Sequence, residues 1–175
     1  MTPHLRKATV QDSTEIMTIF ESAILFLHEQ GSPQWQDGFG PTEQTVRQDI
    51  EKDECYVLIV DNKIVGTATL VPGIDPVYSA IVEGNWRKPT QFSDYLSIHR
   101  VAVSLEYRGQ KLAQQLLHQL IEEATKMGSK DIRIDTYPEN LPMQAAILSA
   151  GFDYQGMVHF PIPEGQRRAY QFLIE

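Results

Sequence analysis

The stretch Val101-Ala102-Val103-Ser104-Leu105-Glu106-Tyr107-Arg108-Gly109-Gln110-Lys111-Leu112-Ala113 passes from an apolar β-branched run into a helical pattern across one glycine turn. At such a turn the first N–H groups of the helix lack intrahelical partners, and the helix dipole places partial positive charge beside them. The turn is therefore suited to an anion, and a diphosphate is of the right size. Gly109 permits close approach of backbone, Arg108 and Lys111 add positive charge, and Ala113 is small enough to leave the approach open. A strand, a glycine and a helix in this order also occur as a plain connector, so the pattern needs its context.

Upstream, residues 95–103 (YLSIHRVAV) read as a strand. Alternation puts Leu96, Ile98 and Arg100 on one face and Ser97, His99 and Val101 on the other. Downstream, Leu112, Leu116, Leu117, Leu120, Ile121 and Ala124 recur at helical spacing, and Gly128 closes the run. A further strand follows over 131–137 (DIRIDTY). Residues 138–150 make a short helix ended by Gly151, in which Met143, Ile147 and Leu148 read as core. Strands at 154–160 and 168–173 flank Pro163-Glu164-Gly165.

Toward the amino terminus, Thr9 and Asp12 form a near-match to a capping box. Ile16, Ile19, Phe20, Ala23, Ile24 and Leu27 then recur on one helical face until Gly31 and Pro33. Residues 31–41 (GSPQWQDGFGP) are a loop in which Trp35 either contacts substrate or plugs the loop onto the core. A polar helix is expected over about 42–52. Runs 55–60 and 64–70 around Asp61-Asn62-Lys63 predict a hairpin. Residues 71–94 show no clear period and read as an irregular excursion, which in a compact domain is functional or mobile. The order is mixed α/β without repeats or a linker, so residues 1–175 are expected to form a single domain.

Hydrophobic residues make up 42% and charged residues 22% of the chain, as in ordinary globular proteins. A formal charge of -8 disfavours nucleic acid and anionic membrane as partners and suits a neutral or cationic acceptor. A third reading, an RNA patch around Arg108 and Lys111, is set against that balance. Cys55 is the only cysteine and lies in an apolar run, so a buried thiol in a reducing compartment is expected. His4, His28, His118 and His159 show no ligand spacing, so no metal is predicted. The first residues lack a signal peptide's apolar core and no run reaches the ~20 apolar residues of a membrane span, so the expectation is a cytoplasmic protein.

Arg108-Gly109-Gln110-Lys111-Leu112-Ala113 resembles the coenzyme A loop of the GNAT N-acetyltransferases, Gln/Arg-x-x-Gly-x-Gly/Ala, at its first and last positions, with Lys111 in place of the central glycine. If that position requires a positive φ, a lysine there costs of order 1 kcal/mol. The resemblance extends over the order of elements, through Asp135-Thr136-x-x-x-Asn140 and Ala150-Gly151-Phe152. It implies a GNAT fold: a mixed, mostly antiparallel sheet of about six to seven strands, flanked by about four helices, with two splayed strands forming the coenzyme A cleft. It further implies that acetyl-coenzyme A donates an acetyl group to an amine on a small molecule or peptide. Val101 and Val103 would offer backbone groups to the pantetheine arm, and Asn140 would contact it from the other side. Arg108, Gly109, Gln110, Lys111, Leu112 and Ala113 would hold the diphosphate. The tyrosine that many members carry four residues before the Gly-Phe pair is here Ile147.

For deprotonating the amine the candidate base is His99, against the alternative of a structural strand histidine. Glu83 and Asp94 are candidates to attract a cationic acceptor, against solvated surface acids. Tyr78 and Trp86 are candidates to wall its pocket together with Trp35, against loop-anchoring aromatics. The leading reading is direct attack of the amine on the thioester. The alternative is a GNAT-like module that binds acyl-coenzyme A but turns over little, suggested by Lys111 and Ile147 together. The last strands would support a homodimer.

Overall fold

A tight hairpin begins the larger half of the sheet. Strands β2 (Cys55–Val60) and β3 (Lys63–Pro72) are joined by Asp61 and Asn62, whose φ values of 51° and 64° are the left-handed pair of a two-residue hairpin turn. The structure, a computed structural model, describes residues 2–87, 94–107 and 111–174. The other elements are β1 (His4–Lys7), α1 (Ser13–Glu29), α2 (Glu43–Glu51), α3 (Pro76–Ser79), β4 (Leu96–Val103), α4 (Leu112–Lys126), β5 (Asp131–Thr136), α5 (Leu141–Ser149), β6 (Asp153–His159) and β7 (Gln166–Leu173). Among the described residues seven strands lie in the order β1-β2-β3-β4-β5-β7-β6, and of their pairings the β4–β5 pair alone is parallel. Among the described residues five α-helices flank this sheet, in keeping with the expected number of about four, the shortest being the four-residue α3.

Helices cover both faces. On one, Leu116, Leu117 and Leu120 of α4 are fully buried against Leu58, Ile98, Ile132 and Ile134, each leucine contributing about 1.5–3 kcal/mol. Ile147 of α5 is in this core, whereas Leu148 is 53% exposed, contrary to its expected place. On the other face α1 and α2 bury Ile16, Ile19, Phe20 and Val46 against Val57 and Ile59. The Asp12 carboxylate accepts from the Thr9 N–H at 2.7 Å and from Arg6, which fixes the start of α1. Thr42 caps α2 by accepting from the Thr45 N–H.

Two further expectations are corrected. The first concerns residues 71–94, which are not irregular throughout. Strand β3 runs on to Pro72, α3 follows, Val82 bridges to Met157, and Tyr78 and Trp86 are buried with Tyr95 in a third core cluster. The cause is tertiary. The Arg133 guanidinium, paired with Asp131 inside the sheet, lies 4.3 Å from the Trp86 ring centre and 3.8 Å from that of Tyr95. Gln171 accepts from the Arg87 N–H and thereby pins the segment to β7.

The second correction concerns β4. Opposite β3, Thr67 pairs with Ala102 and Thr69 with His99, so Arg100 and Val101 together face one residue. This is a β-bulge, with Arg100 in the left-handed region at φ 51°. It reverses the alternation. Leu96, Ile98, Val101 and Val103 pack toward α4, while Ala102 packs toward α1 and α2 and Arg100 turns to Asp49 of α2. Arg100 therefore does not share a face with Leu96 and Ile98. The bulge also bends the strand: β4 pairs with β5 only over Leu96–Ile98, and beyond that the two strands separate.

Candidate active site

The gap left by the separation of β4 and β5 opens into a cleft on each side of the sheet. The first, about 330 Å³, is lined by His99, Arg100, Val101, Asp135, Arg167 and, from the loop before α2, Trp35. The second, about 420 Å³, lies between the start of α4 and α5, and is lined by Val103, Tyr107, Lys111, Leu112, Ala113 and Ala146 among others. Val101 and Val103 thus border the two clefts in turn along one strand.

The second cleft gathers much of what the sequence assigns to a cofactor. Lys111 stands immediately before α4 at φ 55° and ψ 35°, the left-handed conformation that glycine takes without strain. Arg108, Gly109 and Gln110 lie outside the described residues. Asn140 lies at the other cleft, where its Oδ1 accepts from the Met143 N–H at 3.3 Å and caps α5. Its Nδ2 donates to Gln34 at 3.2 Å. Thr136, at the end of β5, has a buried hydroxyl with no hydrogen-bond partner among the described residues. A buried hydroxyl is costly without a partner, and Thr136 lines the first cleft where β4 and β5 have separated, so the gap between the two clefts fits a polar, extended ligand arm.

In the first cleft His99 is flanked by carboxylates. Its Nε2 is 3.7 Å from Asp75 Oδ2 and its Nδ1 is 3.9 Å from Asp135 Oδ2. Both separations are longer than direct hydrogen bonds but within ion-pair distance, so either carboxylate can attract an imidazolium. Tyr78, fully buried, donates its hydroxyl to Asp135 Oδ2 at 2.6 Å, and its ring centre is 5.8 Å from that of His99. Burial pushes the Asp135 carboxyl above its ordinary range, with His99 and the Tyr78 hydrogen bond opposing. Burial pushes the Tyr78 hydroxyl well up, and the adjacent Asp135 adds to this. Asp75 also begins α3, accepting from the Val77 N–H at 2.9 Å.

Trp35 lines the cleft and also packs edge-on to Phe20 at 5.7 Å, so the loop is plugged onto the core as one of its two readings expects. Tyr78 lies behind the cleft, which it meets through its hydrogen bond to Asp135. Trp86 is buried beneath Arg133, its Nε1 donating to the Tyr78 carbonyl. Glu83 is exposed, in a turn beside the Val82–Met157 bridge, and is not among the residues lining the cleft. Sequence reasoning missed Asp75 and Arg167 as site residues and gave Asp135 no role. Their only signal is a charged side chain within the mixed strands DIRIDT and QRRAYQFL and at a helix start.

Comparison with known proteins agrees with this architecture. The model of the acetyltransferase (GNAT) family matches residues 24–152. A GNAT-family acetyltransferase from Streptococcus agalactiae is 33% identical, with a TM-score of 0.90 over 99% of this chain and 96% of that one. A GNAT-family acetyltransferase from Listeria monocytogenes is 21% identical, with a TM-score of 0.75 over 98% and 95% of the two chains. The aminoglycoside acetyltransferase AAC(6')-Ib, solved with coenzyme A and kanamycin, is 20% identical, with a TM-score of 0.68 over 98% and 95%; these last two show likeness of fold. No curated protein matches in sequence. The fold and the family model define an acyltransferase, and the chain belongs to the GNAT acetyltransferase family.

Proposed function

We propose that this protein transfers the acetyl group of acetyl-coenzyme A to a primary amine held in the first cleft, by direct attack of the amine on the thioester. The observation that carries this reading is the separation of β4 from β5 beyond Ile98, with a cleft at each mouth of the gap. Backbone groups of Val101 and Val103, free of β5, pair with the pantetheine arm as an added strand would. Lys111, Leu112 and Ala113, with Arg108, Gly109 and Gln110 from the sequence pattern, hold the diphosphate at the start of α4. Asn140 and the Thr136 hydroxyl lie on the β5 side of the same arm.

His99 accepts the proton of the attacking amine. Asp75 and Asp135, on either side of it, stabilise the imidazolium that forms. Trp35 walls the acceptor. Ile147 is fully buried in the core and offers no proton to the departing thiolate. A thiol with a pKa of about 8.5 leaves adequately without one. The buried single thiol suits a reducing compartment, and a cytoplasmic location is part of the proposal. Among the described residues no helix is long and apolar enough to cross a membrane.

The second reading, a module that binds acyl-coenzyme A with little turnover, draws on the buried Ile147 and on the left-handed Lys111. Calorimetric titration with acetyl-coenzyme A, on wild type and on Ala113→Trp, tests the cofactor site common to both readings. Micromolar binding that disappears in the variant supports it, and absence of binding to the folded wild type removes it. His99→Gln separates the two readings: under transfer it lowers kcat by about 10²-fold or more while acetyl-coenzyme A still binds.

A further inference from the structure

We infer that the acceptor carries a carboxylate beside its amine and that Arg167 receives that carboxylate. The inference rests on the transfer reading above and narrows it to amino acids and their close relatives. Arg167 is 7% exposed and lines the same cleft as His99 and Asp135. It stands on β7 opposite Val158 of β6, two residues before Ala169, which pairs with Asp135. Arg167 and Asp135 therefore project from neighbouring strands onto one face of the sheet.

The guanidinium is held but not neutralised. Its Nη1 donates to the carbonyls of Glu164 at 2.7 Å and Gln166 at 2.8 Å, and the rings of Tyr137 and Phe160 lie 5.3 and 5.9 Å from its centre. Among the described residues it forms no ion pair with a carboxylate, and Nε and Nη2 have no hydrogen-bond acceptor. The cleft's other arginine differs: Arg100 is bound by Asp49 through two bonds of 2.8 Å. Burial lowers the Arg167 pKa and the charge of Asp135 opposes this, as expected of a cation that lacks a close partner.

A buried charge without a carboxylate partner is costly, and a ligand carboxylate would offset that cost. Two vacant donors on a planar fork suit a carboxylate, which accepts two parallel N–H bonds. A role limited to tethering the turn at residues 163–166 would use Nη1 and leave the rest of the fork without purpose. With the carboxylate on Arg167, the adjacent amine lies toward Asp135, His99 and Asp75. A polycation finds less support in this cleft: one of the acids expected to attract it, Glu83, is elsewhere, and Arg167 repels it.

The test measures thiol release from acetyl-coenzyme A with each of the twenty common L-amino acids. Each one accepted is compared with its decarboxylated amine, and spermidine and kanamycin are run alongside. For wild type we expect kcat/KM for the amino acid to exceed that for its amine by at least about tenfold, chiefly through KM. Arg167→Gln should reduce the ratio toward one and Arg167→Lys should restore part of it; acetyl-coenzyme A titration of each variant verifies that its fold and cofactor site persist. Amines without a carboxylate that react equally well or better, or a ratio unchanged in Arg167→Gln, overturn this inference and leave acetyl transfer standing. Failure of every amine to stimulate thiol release overturns the transfer reading, and this inference with it.

Discussion

Replacing Asp49 by alanine removes the carboxylate that holds the bulge of β4. Asp49 is 5% exposed and takes two 2.8 Å bonds from Arg100, whose side chain is 31% exposed. Breaking a fully buried pair costs about 3–5 kcal/mol. Because a third of the Arg100 side chain meets water, the cost here falls to about 2–3 kcal/mol. The left-handed backbone at Arg100 adds about 1 kcal/mol of strain that the pair offsets. Arg100→Gly relieves that strain but leaves Asp49 buried alone, for a net cost of about 2 kcal/mol. The double variant leaves neither charge nor strain, so it should cost only about 1–2 kcal/mol, well short of the sum of the singles. Urea unfolding at constant m reads these differences, and the Asp49→Ala midpoint temperature should fall by about 4–12 °C. Additive single and double variants would refute the argument that this pair maintains the bulge.

Three more outcomes follow from individual groups. Lys111→Gly frees a left-handed position and should raise stability by about 0.5–1 kcal/mol in the same assay, while weakening acetyl-coenzyme A binding by removing a cation beside the diphosphate. Burial pushes the Cys55 thiol up to about 11, so an aromatic disulfide reagent at neutral pH should leave it unmodified until urea unfolds the chain. The Arg6 hydrogen bonds hold the Asp12 carboxyl below its ordinary 3.8. Its stabilisation is therefore complete above that value and lost as pH falls through the lower folded one. Asp12→Asn should accordingly cost about 1 kcal/mol at pH 7 and progressively less below about pH 4, read by thermal melts across pH.

Much of the frame was legible because it rests on local pattern. The leucines of α4 repeat at helical spacing and are buried where that spacing puts them, and Asp61-Asn62 closes the hairpin. The left-handed Lys111 was legible too, since it replaces a glycine in a recognisable loop. The bulge at Arg100 was not, because alternation along one strand carries no information about two residues facing one across the ladder. Nor was the partner that anchors Trp86, since Arg133 comes from a strand far along the chain. The site itself was half legible. His99 stood out as a histidine beside the loop, but its carboxylates come from the start of α3 and from β5, and Arg167 from β7. Only the assembled sheet brings Asp135 and Arg167 into one cleft with His99 and sets Asp75 beside that histidine.

The most direct test of the central claim is thiol release from acetyl-coenzyme A by the purified wild type, followed with and without a set of primary amines. Release that requires an amine, with the acetylated amine recovered in equal amount and no burst beforehand, is the predicted result. Binding of acetyl-coenzyme A without amine-stimulated release would contradict transfer, and a burst of thiol before any amine is added would contradict direct attack.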